Sequence, residues 1–446
     1  MPETLTPPYY ANTPFLGALP KVWRDPLHFF CEAARSNRVV QFKLGPRHFL
    51  LISHPDDVKY VLQDNARNYV KGYQMLEPFL GQGLVTANGD HWLRQRRLMQ
   101  PAFHRGKIAA LSGQMVTAGQ EMLARWAPYA QTGRPLDVAS EMMRLTQTII
   151  VRTMFSTDVS ANADRLAEAF GEVLEYLNSL LFSPFQIPLS WPTPTHLRFR
   201  RANRYIESTV YRIIDERRRT GRREPDLISM LLEARDEATG EGMSDKQIRD
   251  EIMTIFFAGH ETTASTLAWS LWLLARHPEH DARLKQEVDA VLQGRPPAFD
   301  DLPRLPFTRQ VIDEALRLYP PGWMFTRLPV ADDEVAGYRI PAGVQLMISP
   351  YVTHRLPEYW DAPDEFRPER FAPGADEGRP RLAYFPFAAG PRMCIGNNFA
   401  LVEAHLLLAS IAQRYHLKLV PHYRVRALPI ATLRPQPGVL MTLRER

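Results

Sequence analysis

Cysteine is scarce in this chain. Only Cys31 and Cys394 occur among 446 residues, so at most one disulfide can form and a disulfide framework is excluded. A lone bridge is unusual in a chain of this length, and the usage fits the reducing cytoplasm. Two thiols are also too few for the four cysteine ligands of an iron–sulfur cluster. Cys31 follows Phe29 and Phe30, a setting typical of a small core residue.

The sequence also lacks the patterns of a leader and of a membrane span. Its first eight residues carry no basic segment and no apolar run, so we expect no signal peptide. The most apolar long stretch, residues 252–275, has His260 and Glu261 near its middle. A lipid-exposed helix tolerates such side chains poorly. We therefore predict a buried helix in a cytoplasmic protein without a transmembrane anchor.

No strong excess of charge is present either. The net charge of +5 permits an acidic protein partner but does not require nucleic acid. Residues 216–225 hold five arginines without interleaved aromatic residues. We interpret this segment as a solvated loop between helices, so no nucleic-acid partner is predicted.

Hydrophobic periodicity predicts a mainly α fold with small β-sheets. Apolar residues recur at spacings of three and four from residue 89 to 292, as in Ile108, Leu111 and Met115. Short β-like runs occupy residues 39–44, 48–52, 335–340 and 344–349, and residues 398–415 form a final helix. We predict one continuous domain over residues 1–446, with β-rich parts at roughly 36–60 and 325–353 and helical parts at roughly 89–320 and 395–415.

Residues 387–396 place Cys394 in a loop before the final helix. The positive end of a helix and its unpaired backbone N–H groups favour a thiolate, and Arg392 can reach an anion beside the sulfur. Haem satisfies both, because it offers an iron and propionates. A structural cysteine at a helix start is the alternative. Five residues at fixed offsets argue against that alternative, since such a match arises on the order of once in a million windows: Phe387, Gly390, Arg392, Cys394 and Gly396.

This segment resembles the cysteine-ligand loop of the cytochrome P450 family, and the similarity extends from about residue 23 to the C-terminus. The resemblance implies a triangular prism-like domain with haem b between a central helix and the cysteine-ligand helix. It also implies Cys394 as the axial thiolate, with Phe387, Arg392 and Gly396 next to the cofactor. The implied activity is insertion of one oxygen atom from O2 into a lipophilic substrate.

Two further segments resemble family motifs that support the haem site. Glu314 and Arg317 are three residues apart, which puts both on one helix face. Arg370, in a segment similar to the one that supplies a second arginine, is expected to complete a buried charge network with them. In isolation, the first pair also fits an exposed ion pair.

Residues 258–263 resemble the oxygen-activation motif on the long central helix. Splitting dioxygen requires protons, and a carboxylate beside a hydroxyl can relay them, so Glu261 and Thr262 are the candidate catalytic residues. Ala258 leaves room over the haem for oxygen. Thr262 can also bond a backbone carbonyl and distort the helix. The alternative is a helix with a buried polar patch.

Three further residues are expected to hold the haem propionates together with Arg392. Trp92 and Arg96 are four residues apart on one helix face and look like the family's Trp and Arg pair. His91 and Arg97 are alternatives from the same helix. Arg327 matches in position an arginine that usually holds a propionate.

Residues at positions that line the family's substrate pocket are nearly all apolar here: Tyr73, Leu76, Phe79, Phe182, Phe185, Ile255, Met324 and Phe325. They favour a lipophilic substrate of the terpenoid, carotenoid or fatty acyl type. We expect no fused reductase, so electrons come from a separate ferredoxin or flavodoxin-type donor, which the net charge suits.

Two other functions stay open on the sequence. A haem-thiolate enzyme that uses peroxide or rearranges an oxidised substrate tends to lack the acid and threonine pair, whereas this chain has Glu261 and Thr262. A non-catalytic helical ligand-binding protein predicts no haem at all.

Overall fold

The structure is a computed structural model that describes residues 5–11, 13, 15–156, 163–182 and 188–446. Helices α1 to α15 have the bounds Leu19–Arg24, Pro26–Ser36, Pro55–Lys59, Glu77–Leu80, Gly89–Met99, Arg105–Thr132, Val138–Phe155, Ala163–Phe182, Pro194–Thr220, Leu227–Glu233, Asp245–Arg276, Pro278–Leu292, Pro306–Leu318, Pro350–Thr353 and Asn397–Arg414. Strands β1 to β12 have the bounds Val39–Leu44, Arg47–Ile52, Tyr69–Val70, Leu136–Asp137, Phe325–Pro329, Asp333–Val335, Tyr338–Ile340, Gln345–Ile348, Tyr415–Leu419, Arg426–Pro429, Leu433–Gln436 and Leu440–Glu445. The predicted mainly α fold with small sheets is confirmed.

Two compact units divide the described chain. The first unit contains residues 1–72 and 313–394, and the second contains residues 73–312 and 395–446. Helix α13 crosses the division between residues 312 and 313. Each unit thus joins an early and a late segment of the sequence, so the chain is not a row of sequential modules.

A five-stranded sheet with the order β1-β2-β8-β5-β3 organises the first unit. The predicted hairpin is confirmed: β1 and β2 pair antiparallel, with Val39 opposite Ile52, and Gly45 turns the chain at a φ of 59°. Strand β8 adds parallel to β2. Alternate residues such as Val39, Leu50 and Ile348 lie in one buried apolar cluster, as expected for a half-buried sheet.

The β-like run at residues 335–340 was predicted as one strand, and that was wrong. It is the two-stranded hairpin of β6 and β7, which turns at Ala336 and Gly337 with φ values of 53° and 82°. A two-residue turn with both φ values positive suits the twist of paired strands. The apolar side chains on either side of the turn hid this reversal in the sequence.

The long helix α11 is the centre of the second unit's packing. It begins with a capping box, in which Ser244 accepts from the N–H of Gln247 and the Gln247 side chain accepts from the N–H of Ser244. Its tryptophan Trp269 donates from Nε1 to the carbonyl oxygen of Leu433 at 3.0 Å, which fixes strand β11 beside the helix. This contact places the side chains of β11 next to the middle of α11.

The arginine-rich segment at residues 216–225 was predicted as a solvated loop, and for its first half that was wrong. Helix α9 continues to Thr220 and ends with Gly221 in the left-handed conformation. Arg217 is 3% exposed and donates to Asp226 at 2.8 Å and to Ser229 at 2.7 Å. A buried arginine with a carboxylate partner looks like a surface charge in a sequence, because the partner is not adjacent.

Within the described ranges, every helix falls short of the length and apolar character that a membrane span requires.

Candidate active site

The loop that carries Cys394 is held rigidly by its own backbone. The N–H of Cys394 donates to the oxygen of Phe387 at 2.9 Å, and the N–H of Met393 donates to the oxygen of Gly390 at 3.0 Å. Gly390 has a φ of 68°, and a Cβ there would lie 1.8 Å from the oxygen of Leu62. Only glycine satisfies both the positive φ and this close approach. The loop therefore sits directly against the π-helical segment Tyr60–Asp64 that continues α3.

Cys394 is exposed at the end of this loop, three residues before α15 begins at Asn397. Its location near a helix N-terminus favours the thiolate. Cys31 differs, because burial raises the pKa of its thiol to about 11 and keeps it protonated at neutral pH. Of the two cysteines, Cys394 has the surroundings of a metal ligand.

The structure brings the predicted charge network together in the first unit. Arg317 donates from Nε to Glu314 Oε2 at 2.7 Å and from Nη2 to Oε1 at 2.8 Å, and neither side chain is exposed. The Nε of Arg370 lies 3.4 Å from Glu314 Oε1. Arg317 also donates to the backbone oxygens of His354, Pro363 and Glu365. The network thus contains one carboxylate and two guanidinium groups, and Arg317 also fixes a backbone segment.

His354 extends this network to the cysteine loop. The ring is fully buried, and the N–H of Phe385 donates to its Nε2 at 2.9 Å. Its Nδ1 lies 3.3 Å from the oxygen of Arg317. Burial, with the nearby Arg317 charge, holds the His354 pKa well below its usual range. The neutral ring therefore connects the arginine helix to the start of the loop that ends at Cys394.

Helix α11 is buried along most of its length but is more open at residues 258, 259 and 262 in its middle, which we call the window. Residues 248–256 and 263–274 are buried, whereas Ala258 is exposed, and Gly259 and Thr262 are partly exposed. Positions 258 and 262 are one turn apart and share a helix face. Thr262 donates from Oγ1 to the oxygen of Ala258 at 2.9 Å. Ala258 and Thr262 of the predicted motif therefore lie together in this window of an otherwise buried helix.

Glu261 is held by partners that the sequence analysis missed. Its carboxylate is buried, and Arg434 of β11 donates from Nε to Oε1 at 2.6 Å and lies with Nη2 2.5 Å from Oε2. Thr432 donates to the same Oε1. These partners lie more than 170 residues away in the chain, so no local signal could have revealed them. The predicted relay acid is thus one half of an ion pair.

Helix α5 separates its basic residues between two faces. Arg94 donates to the oxygen of Gly242 at 3.0 Å, and Arg97 pairs with the buried Asp236 at 2.9 Å. Arg97 was predicted as an alternative propionate ligand, and that assignment stays a prediction beside this ion pair. Trp92 and Arg96 are both partly buried.

The other two arginines predicted to hold propionates lie in the first unit. Arg327 on β5 is 4% exposed, donates to the oxygen of Thr326 at 2.9 Å, and lies over the ring of Phe325. Arg392 is partly buried in the 3-10 turn that precedes Cys394.

The predicted pocket residues fall into different surroundings. In the second unit, Phe79 is buried and its ring packs edge-on to Tyr176 and Phe199, with centroids at 5.5 and 4.9 Å. Phe79 is thus part of the core between α4, α8 and α9. Also in the second unit, Leu76 and Ile255 are buried and Tyr73 is partly buried. In the first unit, Met324 and Phe325 are partly buried. The side chain of Phe182 and all of Phe185 lie outside the described residues.

Comparison with known proteins identifies the class. The family model described as Cytochrome P450 matches residues 7–442. The chain is 38% identical over 413 residues to cyclooctat-9-en-7-ol 5-monooxygenase of Streptomyces melanosporofaciens, covering 92% of this chain and 89% of that protein. It is 38% identical over 424 residues to pentalenene oxygenase of Streptomyces avermitilis, covering 94% and 93%. The crystal structure of the cytochrome P450DA haem domain superposes with a TM-score of 0.90 at 28% identity, covering 99% of this chain and 98% of that one.

The chain belongs to the cytochrome P450 family, and it is a haem-thiolate monooxygenase. Its own residues fit haem: an exposed cysteine lies at a helix N-terminus, and the central helix opens at an alanine and a threonine. A binding protein without haem does not account for these features.

Proposed function

We propose that this enzyme inserts one oxygen atom from O2 into a terpenoid, with Cys394 as the axial ligand of haem b. The observation that carries the proposal is the exposed thiol of Cys394 on a loop fixed by Gly390. Haem, when bound, supplies the iron at which dioxygen is reduced. The protein's residues then have to hold the cofactor, admit the substrate and deliver protons.

Holding the cofactor falls to the cysteine loop and to cationic side chains. Arg392 lies two residues before Cys394, and Arg327 is buried with its guanidinium fixed by a backbone oxygen. Trp92 and Arg96 share one face of α5. Guanidinium groups form charge-assisted hydrogen bonds with carboxylates, so we assign these residues to the two propionates.

Oxygen activation is assigned to the window on α11. Ala258 presents only a methyl group there, which leaves space for a small molecule. Thr262 donates its hydroxyl proton to the oxygen of Ala258, so its Oγ1 lone pairs can accept a hydrogen bond from a water or from a reacting oxygen. Proton delivery through this hydroxyl distinguishes a monooxygenase from a peroxide-using or rearranging relative.

A terpenoid is favoured over the other lipophilic substrates by the relatives. Two relatives, named cyclooctat-9-en-7-ol 5-monooxygenase and pentalenene oxygenase, match this chain at 38% identity. The apolar side chains at Leu76, Ile255, Met324 and Phe325 suit a hydrocarbon skeleton that has no charged group. Carotenoid and fatty acyl substrates are the alternatives.

The electron donor is proposed to be a separate ferredoxin or flavodoxin. Such donors are usually acidic, and the net charge of +5 on this chain favours their association. Reconstitution with an acidic ferredoxin and with a flavodoxin should give turnover that falls as salt is added, because exposed charge pairs are screened. Salt-independent turnover would contradict a charge-guided complex.

One spectrum tests the central assignment. The reduced, carbon monoxide-bound protein should show the strongly red-shifted Soret band of thiolate ligation. Cys394→Ala should abolish this band, and the matched control Cys31→Ala should retain it. A histidine-type spectrum of the unaltered protein, or loss of the band in the control alone, would contradict the assignment.

A second measurement tests the substrate class. Cyclic terpene hydrocarbons and alcohols, a carotenoid and a long-chain fatty acid should be titrated against the oxidised enzyme. We expect the terpenes to shift the haem iron from low spin to high spin. On turnover, we expect oxygenated terpene products. A response limited to the fatty acid would replace the terpenoid proposal.

A further inference from the structure

Asp333, the first residue of β6, accepts hydrogen bonds from four side chains that lie far from it in the sequence. Its Oδ1 accepts from the Tyr60 hydroxyl at 2.9 Å. Its Oδ2 accepts from the Tyr69 hydroxyl at 2.6 Å and from the side-chain amides of Asn65 and Asn68 at 2.8 and 3.4 Å. An ionised carboxylate offers about four acceptor sites, so these four donors match its capacity.

The donors also keep Asp333 ionised. Burial opposes its charge, but the bonds from the Tyr69 hydroxyl, the Glu334 N–H and the Tyr60 hydroxyl outweigh this effect, and they hold the pKa of Asp333 below its ordinary value. Hydrogen bonds to an ionised group are roughly twice as strong as those between neutral groups. Each donor is therefore firmly attached to β6.

Two of the donors lie at the two ends of the π-helical segment Tyr60–Asp64, which we call the π segment. Tyr60 is its first residue and Asn65 caps its end, where the N–H of Asn65 donates to the oxygen of Tyr60 at 2.8 Å. The Asn65 amide also donates to the Tyr60 hydroxyl at 3.1 Å. Because π-helices are rare and usually short, such a segment depends on contacts from outside. Asp333 supplies one at each end.

The middle of the π segment lies against the cysteine loop. The oxygen of Leu62 is the atom that a Cβ at Gly390 would meet at 1.8 Å. Leu62 also shares one buried apolar cluster with Ala389 of the loop and with Val335 of β6. The π segment therefore contacts the cysteine loop through its middle and is bound to Asp333 at its ends.

We propose that Asp333 is a positioning residue for the axial thiolate of Cys394. Its bonds to Tyr60 and Asn65 fix the π segment, and the contact of that segment with Gly390 fixes the loop that ends at the cysteine. All of these residues belong to the first unit. The inference deepens the proposed function and rests on it, because Cys394 has to be the axial ligand.

Tyr69 separates this role from a purely structural one. Its hydroxyl makes the shorter bond to Asp333, and its side chain is buried whereas that of Tyr60 is partly buried. Tyr69 lies on β3, outside the π segment. If Asp333 only stabilised the fold, Tyr69→Phe would have the larger effect on every property. If Asp333 positions the cysteine loop, Tyr60→Phe has the larger effect on that loop.

Hydrogen exchange in the haem-loaded protein without substrate measures the loop itself. Loss of one hydrogen bond to an ionised group shifts a local opening equilibrium by about tenfold or more. The N–H groups of Met393 and Cys394 should therefore exchange about tenfold faster in Tyr60→Phe than in the unaltered protein. In Tyr69→Phe they should stay within about twofold of it. Unchanged rates in Tyr60→Phe, or a larger change in Tyr69→Phe, would overturn the inference.

The carbon monoxide spectrum and the midpoint potential of the haem iron report the thiolate. In Asp333→Ala, the thiolate band should be lost about tenfold faster or more in mild urea. The potential should rise, because a loosened thiolate donates less electron density to the iron. Asp332→Ala is the matched control, since the neighbouring carboxylate accepts from Arg339 and from the Ala342 N–H, both at 2.8 Å. It should keep both properties of the unaltered protein, and equal behaviour of the two variants would contradict the proposal.

Haem content and far-ultraviolet circular dichroism check folding in every variant. Where Asp333→Ala does not take up haem, Tyr60→Phe and Asn65→Ala decide the question, because both leave the carboxylate in place and both should loosen the loop. A histidine-type spectrum of the unaltered protein together with the expected exchange rates would refute the proposed function alone. The thiolate spectrum together with unchanged exchange in Tyr60→Phe would refute the role of Asp333 alone.

Discussion

Arg434 of strand β11 binds the carboxylate of Glu261, with its Nε 2.6 Å from Oε1 and its Nη2 2.5 Å from Oε2. The glutamate side chain is 4% exposed and the arginine side chain 30%. The pair therefore neutralises a charge in the middle of the central helix. It also joins β11 to α11 at the turn where oxygen activation is proposed.

Arg434→Met should destabilise the protein by about 3–5 kcal/mol, because a buried carboxylate loses its partner. The double variant Arg434→Met with Glu261→Gln should recover much of that loss, since the uncompensated charge is gone. Chemical denaturation of the haem-loaded proteins measures both effects. Arg426→Met on the neighbouring strand β10 is a matched control, because its side chain is exposed, and it should change stability by less than about 0.5 kcal/mol. Equal losses in the single and double variants would contradict the buried-charge argument.

Thr262→Ala should uncouple electron consumption from product formation. The variant loses the hydroxyl that bonds to the oxygen of Ala258, and the alanine that replaces it favours the helix. Removal of a proton-relay group typically lowers the rate of the chemical step by about 10²-fold or more. Reduced oxygen species should therefore replace product. Product and hydrogen peroxide per electron are the quantities to measure.

Thr266→Ala is the matched control for that experiment. Thr266 makes the same type of bond one turn later, to the oxygen of Thr262 at 2.9 Å, but is buried. Its loss should leave coupling within about twofold, because it has no access to the window on α11. Uncoupling of both variants to the same degree would indicate a general disturbance of the helix and would argue against a relay at Thr262.

Gly390→Ala should prevent formation of the thiolate-ligated state. The new Cβ would meet the oxygen of Leu62 at 1.8 Å, in addition to the strain of a φ of 68°. Gly343→Ala has similar strain, at a φ of 74°, with open space around the Cβ. That control should cost only about 1 kcal/mol and retain the spectrum. Haem content and the carbon monoxide spectrum decide between the two outcomes, and normal ligation in Gly390→Ala would refute the close-packing account.

The stability of the fold should fall between pH 5 and pH 8 because of Glu403. Its pKa is about 8 in the fold against 4.5 for an unperturbed glutamate, so the folded chain binds the proton more tightly than the unfolded chain. Its contribution is fully present below pH 4.5 and is lost as the pH rises to about 8. At pH 7 the contribution of Glu403 to the free energy of unfolding is lower by on the order of 3 kcal/mol than it is well below pH 4.5. Glu403→Gln should remove this slope in denaturation curves, and parallel slopes in the two proteins would contradict it.

The sequence predicted those parts of the site that depend on spacing along the chain. Glu314 and Arg317 are one turn apart, and their bidentate pair follows directly from helix geometry. The hairpin at Gly45 and the helical class of the chain were also accessible, since periodicity and turn residues are local properties.

The remaining features depend on contacts that no local pattern encodes. Arg434 follows Glu261 by 173 positions, and neither residue marks the other in the sequence. Glu403 is 2% exposed, and its neighbours in the sequence do not indicate the burial that raises its pKa. Arg217 misled the prediction for the same reason, because its carboxylate partner follows nine residues later, after the helix has ended.

Position 258 is one at which the side chain can change without loss of core packing. It is exposed in the middle of a helix whose flanking turns are buried, so a larger side chain there would not displace the packed core. A larger side chain there would instead fill the space in which oxygen activation is proposed, so position 258 can change the reaction of the enzyme without lowering the stability of its fold. The cysteine loop and the charge network lie elsewhere in the chain and would remain as they are under such a substitution.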